Sequence, residues 1–89
     1  MGRYKIIVSS RADKFLDDLN EKLRHKLIEE ISDLENFPFF TKPHDIAKLK
    51  GRKGHYRLRI GEIRTIFKVN KNQRTIYIEK IGYRKRIYE

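Results

Sequence analysis

Eighty-nine residues with no cysteine and a net charge of +10 bound the problem before any motif is read. A chain this short forms one domain, residues 1–89, with a small core and neither disulfides nor thiolate metal sites to brace it. The apolar run Ile6-Ile7-Val8 is too short for a signal segment or a membrane span, and Met1-Gly2 is followed by Ile6 where an N-myristoylation signal requires Ser or Thr, so the expectation is a soluble, cytoplasmic protein with no membrane partner.

In chain order, "YKIIV" (4–8) is rich in β-branched residues and reads as a strand. "SSRADKFLDDL" opens a helix for which Ser10 is the expected N-cap, with Asp13 three residues on, and Phe15, Leu16 and Leu19 recur at helical spacing beside Ala12. Asn20 is the expected cap of a second helix, along which Leu23, Leu27, Ile28, Ile31 and Leu34 keep the same period. Two helices with one apolar face each need a sheet to cover. "FPFFTKPHD" (37–45) ends the second helix at its prolines, and its three phenylalanines are expected to tuck against the core.

The remainder reads as β. "YRLRI" (56–60) and "IRTIFKV" (63–69) flank Gly61-Glu62, a Gly-X pair suited to a two-residue hairpin turn. "TIYIEKI" (75–81) comes next, and Gly82 is expected to break it before the basic tail "YRKRIYE". The order β-α-α-β-β-β, with strands clustered after the helices, predicts an α+β fold: an antiparallel sheet with a helical hairpin packed on one face.

Charge is distributed unevenly along this pattern. Residues 1–45 carry 8 Lys/Arg against 9 Asp/Glu, whereas residues 46–89 carry 14 against 3, a local balance of +11. Such a segment attracts polyanions, and with only Glu62, Glu79 and Glu89 to offset it a merely solubilising surface fits less well. Side chains alternate across a strand, so Tyr56, Leu58 and Ile60 share one face while Arg57 and Arg59 share the other. On the next strand Ile63, Thr65, Phe67 and Val69 face one way and Arg64, Ile66 and Lys68 the other. On the last, Ile76 and Ile78 oppose Tyr77, Glu79 and Ile81. One sheet face is therefore expected to be apolar and helix-covered, the other open and basic. Arg57 and Arg59 stand about 6.6 Å apart along the strand, and their planar donors suit the oxygens of neighbouring phosphates in an extended RNA.

Other constellations carry less. His44 and His55 border the β region and are weighed as an RNase-like acid/base pair, which their spacing does not by itself bring together. His25, mid-helix among polar neighbours, reads as a surface residue. Three scattered histidines without cysteine give no zinc signature. Gly51, Gly54 and Gly61 match no phosphate-loop pattern and read as turn residues. Lys48, Lys50, Arg52 and Lys53, with Lys85 and Arg86 of the tail, are expected to contact RNA rather than to take part in chemistry.

The combination "LKGRKGHYRLRIGEIRTIF" with "IYIEKIGYRKRIY" resembles the RelE-type toxins of the RelE/ParE toxin–antitoxin superfamily, and the likeness extends over nearly the whole chain. The resemblance implies an mRNA endonuclease that enters the ribosomal A site and cuts the bound codon, with no metal or other cofactor. In this chemistry the ribose 2′-OH attacks the adjacent phosphate, giving a cyclic phosphate and a 5′-OH. It also implies a cognate, RelB-like antitoxin as partner, beside the ribosome and mRNA. Carried over by position, Arg57, Arg59 and Arg64 would hold the phosphate oxygens, Arg84 would stabilise the leaving oxygen, and Tyr88 would stack on a base or orient the 2′-OH. The ParE branch, which acts on DNA gyrase, leaves open the alternative of a non-enzymatic inhibitor or a basic RNA- or ribosome-binding module on the same fold.

Overall fold

The computed structural model describes residues 3–40 and 42–88; Met1, Gly2, Thr41 and Glu89, and with them the reading of Met1-Gly2 and the charge of Glu89, lie outside the described residues. The chain runs β1 (Lys5–Val8), α1 (Ser10–Asp17), α2 (Glu21–Asp33), a 3₁₀ turn (Leu34–Asn36), β2 (Asp45–Lys48), β3 (His55–Ile60), β4 (Ile63–Asn70) and β5 (Thr75–Tyr83). The strands form one sheet in the order β1-β5-β4-β3-β2. The pairs among β2 to β5 are antiparallel. β1 lies parallel to β5, with Ile7 beside Tyr77.

The α+β class and the order of the expected elements hold. The sheet differs from the expectation in two respects. It is mixed rather than wholly antiparallel, because the helical hairpin carries the chain from β1 at one edge to β2 at the other, and the meander then works back until β5 lies parallel beside β1. It also gains β2, which pairs Asp45 with Arg59 and Ala47 with Arg57.

Both helices start as capping chemistry dictates, although α1 starts one residue early. Ser9, not Ser10, is its N-cap: the Ser9 hydroxyl accepts the Ala12 N–H at 3.1 Å and donates to the Glu79 carbonyl at 2.7 Å. Asn20 caps α2 as expected, accepting from the Leu23 N–H at 2.9 Å. The apolar faces of the helices, Ala12, Leu16, Leu19, Leu27, Ile31 and Leu34, close over Leu58, Ile60, Ile63, Phe67, Ile76, Ile78 and Ile81. Each large side chain buried here contributes about 1.5–3 kcal/mol. Phe37 fills the end of this core, with ring centroids 5.1 Å from Tyr56 and 6.1 Å from Phe67. Phe40 is half-buried against it, but Phe39 is exposed and does not tuck in.

β5 carries the main departure from simple alternation. A bulge opposite Ile66 and Phe67 pairs Ile66 with Lys80 and Phe67 with Ile78, so Glu79 is an extra residue. The inserted residue turns Ile81 into the core, 5% exposed, where alternation alone had placed it on the open face. The Glu79 carbonyl is taken up by Ser9 and by Arg11 Nε at 3.0 Å, just where β1 has ended and the edge of β5 would otherwise be bare. Nor does Gly82 break the strand, which runs on to Tyr83. Gly82 serves close packing: a Cβ there would lie 3.2 Å from Ile87 Cδ1. Among the described residues no helix is long and apolar enough to cross a membrane.

Candidate nucleic-acid interface

The β3–β4 hairpin closes on Gly61-Glu62, with Ile60 paired to Ile63 and Gly61 at a φ of +59°, a conformation glycine adopts without strain. That register sets Arg59 directly across from Arg64 and Arg57 across from Ile66, on the face away from the helices. Arg64 in turn pairs with Gly82 of β5, which places Arg84 two residues beyond. The Arg84 N–H donates to the Glu62 carbonyl at 2.8 Å and its Nε lies 2.9 Å from Glu62 Oε2, fixing it at the same hairpin. Arg57, Arg59, Arg64 and Arg84 are thus brought together at one end of the sheet.

Two like charges directly opposed on neighbouring strands repel, and the structure relieves this twice. Asp45 Oδ1 lies 3.1 Å from Arg57 Nη2, and Asp45 Oδ2 lies 2.5 Å from Arg59 Nη2. Arg64 folds back instead, donating from Nη1 to the carbonyls of Gly61 at 2.7 Å and Ile63 at 3.2 Å. It is 9% exposed, so the expectation of a fully open guanidinium is corrected for this residue: it stiffens the turn while sharing the basic face. Arg57 is half-buried and Arg59 exposed.

Tyr88 does not sit among these arginines. It is 61% exposed and lines a groove of about 390 Å³ with Lys50, Arg52, Ile66, Lys80 and Ile87. Ile87 anchors this C-terminal turn by burying itself, at 3% exposure, over Gly82. Lys85 and Arg86 are exposed on the same turn. The remaining basic residues separate further: Lys48 and Lys53, with Arg52, line an open bowl of about 840 Å³ at the opposite, loop end of the sheet, where Lys68 and Lys71 join them.

The histidines do not pair. His55 begins β3, its Nδ1 3.1 Å from the Lys53 carbonyl and its Nε2 3.0 Å from Glu79 Oε2. Arg52 Nη2 lies 3.1 Å from the same carboxylate. Burial works to raise the Glu79 pKa, but the His55 hydrogen bond and charge, aided by Arg52, outweigh it and hold the carboxyl below its usual range. His44 instead faces α2, with Nδ1 3.1 Å from Glu30 and Nε2 2.6 Å from Asp33. Burial disfavours its charge, yet the hydrogen bonds to Asp33 and Glu30 prevail and raise its pKa, while the bond from His44 lowers that of Asp33. The two imidazoles therefore serve separate carboxylates, and the acid/base pair weighed from the sequence is not formed. His25 is exposed, as expected. Among the described residues no group of His, Cys, Asp or Glu is arranged to hold a metal ion.

Sequence reasoning missed Asp45, the residue that organises Arg57 and Arg59, because it belongs to the unread strand β2. It also missed Lys68 and Lys71 as partners of Lys48 and Lys53, since only strand pairing brings these segments together.

The family described as the ParE toxin of the type II toxin–antitoxin system parDE matches residues 6–88. A relative named RelE1 from Methanocaldococcus jannaschii is 33% identical over 87 residues, which are 98% of this chain and 97% of that one. In the crystal structure of the archaeal RelE–RelB complex from Pyrococcus horikoshii OT3, a chain 29% identical superposes with a TM-score of 0.80, covering 94% of this chain and 98% of its own length. The isolated E. coli RelE toxin, 18% identical, shares the fold at a TM-score of 0.74 over 90% of this chain and 83% of that one. The sheet, its helical hairpin and these likenesses agree, and the chain belongs to the RelE/ParE superfamily of type II toxin–antitoxin systems as a RelE-like toxin.

Proposed function

We propose that this toxin is an endoribonuclease that cleaves mRNA in the ribosomal A site, in the cytoplasm, and so stops translation. The observation that carries the reading is the gathering of Arg57, Arg59, Arg64 and Arg84 at one end of the sheet face that the helices leave uncovered. In the reaction the ribose 2′-OH loses its proton and attacks the adjacent phosphorus. The bond to the 5′-oxygen breaks, leaving a cyclic phosphate on one fragment and, once that oxygen takes up a proton, a 5′-OH on the other. Negative charge builds on the nonbridging oxygens, where Arg57, Arg59 and Arg64 act as fixed cations, and on the departing oxygen, where Arg84 acts. These guanidinium groups stay protonated, so their role is electrostatic and not that of a general base. On this reading no metal or other cofactor is required.

Tyr88 offers its exposed ring for stacking on an unpaired base or for orienting the 2′-OH, and the groove it lines supplies Lys50 to the flanking strand, with Arg52 available only by sharing or leaving its Glu79 partner in the same groove. Lys48, Lys53, Lys85 and Arg86 extend the RNA contact. The partner that restrains the toxin is a RelB-like antitoxin, a reading supported by the RelE–RelB complex from Pyrococcus horikoshii. The test is cleavage of mRNA on programmed ribosomes, read by primer extension in the presence of a chelator. Arg84→Ala and Arg64→Ala are expected to lose about 10²–10³-fold in rate, the loss typical for removing one transition-state donor. Circular dichroism checks that each variant is folded. Unchanged cleavage by both folded variants ends the catalytic assignment.

A further inference from the structure

β2 is a slight strand, yet it carries the carboxylate that sits on Arg57 and Arg59. It has four residues, forms one edge of the sheet and packs only Ile46 against the core. Pairing Asp45 with Arg59 sets its register, but the first residue of so short an edge strand is where fraying begins.

The residue before Asp45 is held far more firmly. The His44 side chain is only 4% exposed, with Nδ1 3.1 Å from Glu30 Oε1 and Nε2 2.6 Å from Asp33 Oδ2. Phe40 sets its ring edge-on to the imidazole at 4.8 Å. Successive side chains of an extended chain leave on opposite faces. His44 accordingly reaches α2, while Asp45 reaches the arginines on the uncovered face. A single step along the chain joins the α2 contact to the counter-ion of the arginine pair.

We propose that His44 is a positioning residue for the phosphate site: clasped between Glu30 and Asp33, it seats Asp45 on Arg57 and Arg59, and opening the clasp releases both guanidinium groups to a phosphate of RNA. The inference deepens the activity put forward above and rests on it for the role of the two arginines. His44 acts through Asp45 and not on the RNA itself.

Donor counting makes the clasp sensitive to protonation and gives the direction. Both partners of the ring are carboxylates, which only accept, so the closed clasp needs an N–H on each nitrogen. Imidazolium has two. Neutral imidazole has one, and its bare nitrogen then faces a carboxylate oxygen. The charged groups around the ring are Lys26, Glu29, Glu30 and Asp33 of α2, Glu35 of the 3₁₀ turn and Lys42 of its own segment, which line one cavity of about 700 Å³ with it. On the sheet side the charges are Asp45 and, across from it, Arg59. Burial disfavours the charged ring, but the bonds to Asp33 and Glu30 prevail and raise its pKa, so the clasp opens only above about pH 6.5. Release of the arginines therefore grows as pH rises.

The experiment measures binding of the full chain to an unpaired RNA with methylated 2′-oxygens, by fluorescence anisotropy from about pH 5.5 to about pH 8.5. Each variant is compared with the wild type at the same pH, which cancels the titration of His25 and His55, and circular dichroism checks folding. His44→Gln is expected to bind more tightly than the wild type, with a ceiling of about two- to thirtyfold set by the two partly exposed pairs of Asp45. The ratio of its affinity to that of the wild type should fall as pH rises, because the wild-type clasp then opens by itself. In an Asp45→Asn background the same substitution should change nothing. Asp33→Asn is the conservative check: its oxygen can keep the 2.8 Å bond from Asn36 Nδ2 while its amide donates to bare Nε2, so neutral imidazole closes the clasp. Its affinity relative to the wild type should likewise fall with rising pH. Wild-type affinity in His44→Gln overturns the proposal, as does a gain that persists beside Asp45→Asn or a ratio that ignores pH. Unchanged binding by Arg57→Ala with Arg59→Ala would bring down the functional reading as well, whereas loss there without a His44 effect strikes this inference alone.

Discussion

Replacing Asp45 with asparagine keeps the shape of the side chain and removes the one negative charge that Arg57 and Arg59 share. In the free protein its two carboxylate oxygens meet the two guanidinium groups at 3.1 and 2.5 Å, an arrangement that imitates the paired nonbridging oxygens of a phosphate. An incoming phosphate must therefore displace Asp45 or share its partners. The side chains are 39% exposed for Asp45, 20% for Arg57 and 52% for Arg59, so solvent screens both pairs. Ion pairs of this kind are worth about 0.2–1 kcal/mol each, and the two together about 0.5–2 kcal/mol. At about 1.4 kcal/mol per tenfold, Asp45→Asn is expected to tighten binding of RNA about two- to thirtyfold. The native state should lose a similar free energy, read by chemical denaturation. The binding assay is fluorescence anisotropy of an unpaired RNA whose 2′-oxygens are methylated, which blocks cleavage. The gain should shrink as salt rises, because the lost competitor is a partly exposed charge. Unchanged or weaker binding by the folded variant would refute the reasoning, since it would mean that Asp45 holds the arginines in place for the phosphate instead of competing with it.

Two further predictions concern stability. Thr65 is fully buried opposite Leu58 and Ile81, and its hydroxyl has no hydrogen-bond partner, so the nearly isosteric Thr65→Val is expected to stabilise the fold by about 1 kcal/mol, measured by denaturant midpoint. Because both ring nitrogens of His44 face carboxylates and its pKa is raised, its contribution should be complete below about pH 6.5 and vanish as pH climbs through the folded-state value. The linked Asp33, with a lowered pKa, contributes above about pH 4 and loses that contribution on acidification. Unfolding curves from pH 5 to 8 should show the wild type losing stability with rising pH and His44→Gln giving a flatter profile.

The parts of the fold that were legible in the sequence are those encoded locally. Asn20 caps α2, Gly61-Glu62 turns the hairpin, and the alternation along β3 and β4 puts Leu58, Ile60 and Phe67 in the core. The illegible parts need partners distant in the chain. β2 is four residues long, with Ile46 its only large apolar side chain, and its strand character arises from pairing with β3. The parallel seating of β1 on β5 joins residues about seventy positions apart. The bulge at Glu79 depends on Ser9 and Arg11 to receive its carbonyl, and nothing within β5 announces it. The site divides along the same line. Alternation put Arg57, Arg59 and Arg64 on one face, but their counter-charges, Asp45 and the turn carbonyls, come only from the register.

That division changes what the excess of basic residues means. Counting charges along residues 46–89 treats arginine and lysine as one reservoir of positive potential, whereas the fold sorts them by whether a carboxylate is in reach. Arg64 and Arg84 are held in fixed positions by backbone carbonyls and Glu62, which suits groups that must meet a developing charge without rearranging, while Asp45 occupies Arg57 and Arg59 until a phosphate displaces it. Fixing them this way also mutes their field at a distance, because each is partly neutralised before any ligand arrives. The loop-end lysines have the opposite properties: they are exposed point charges on long stems, weak in geometric discrimination and without a carboxylate partner among the described residues. A protein that must first find a large polyanion and then place a few cations accurately gains from keeping these tasks on separate residues. Converting the lysines to glutamine should therefore slow association and alter its salt dependence, whereas converting Arg84 should leave encounter nearly untouched and act on the cleavage step alone.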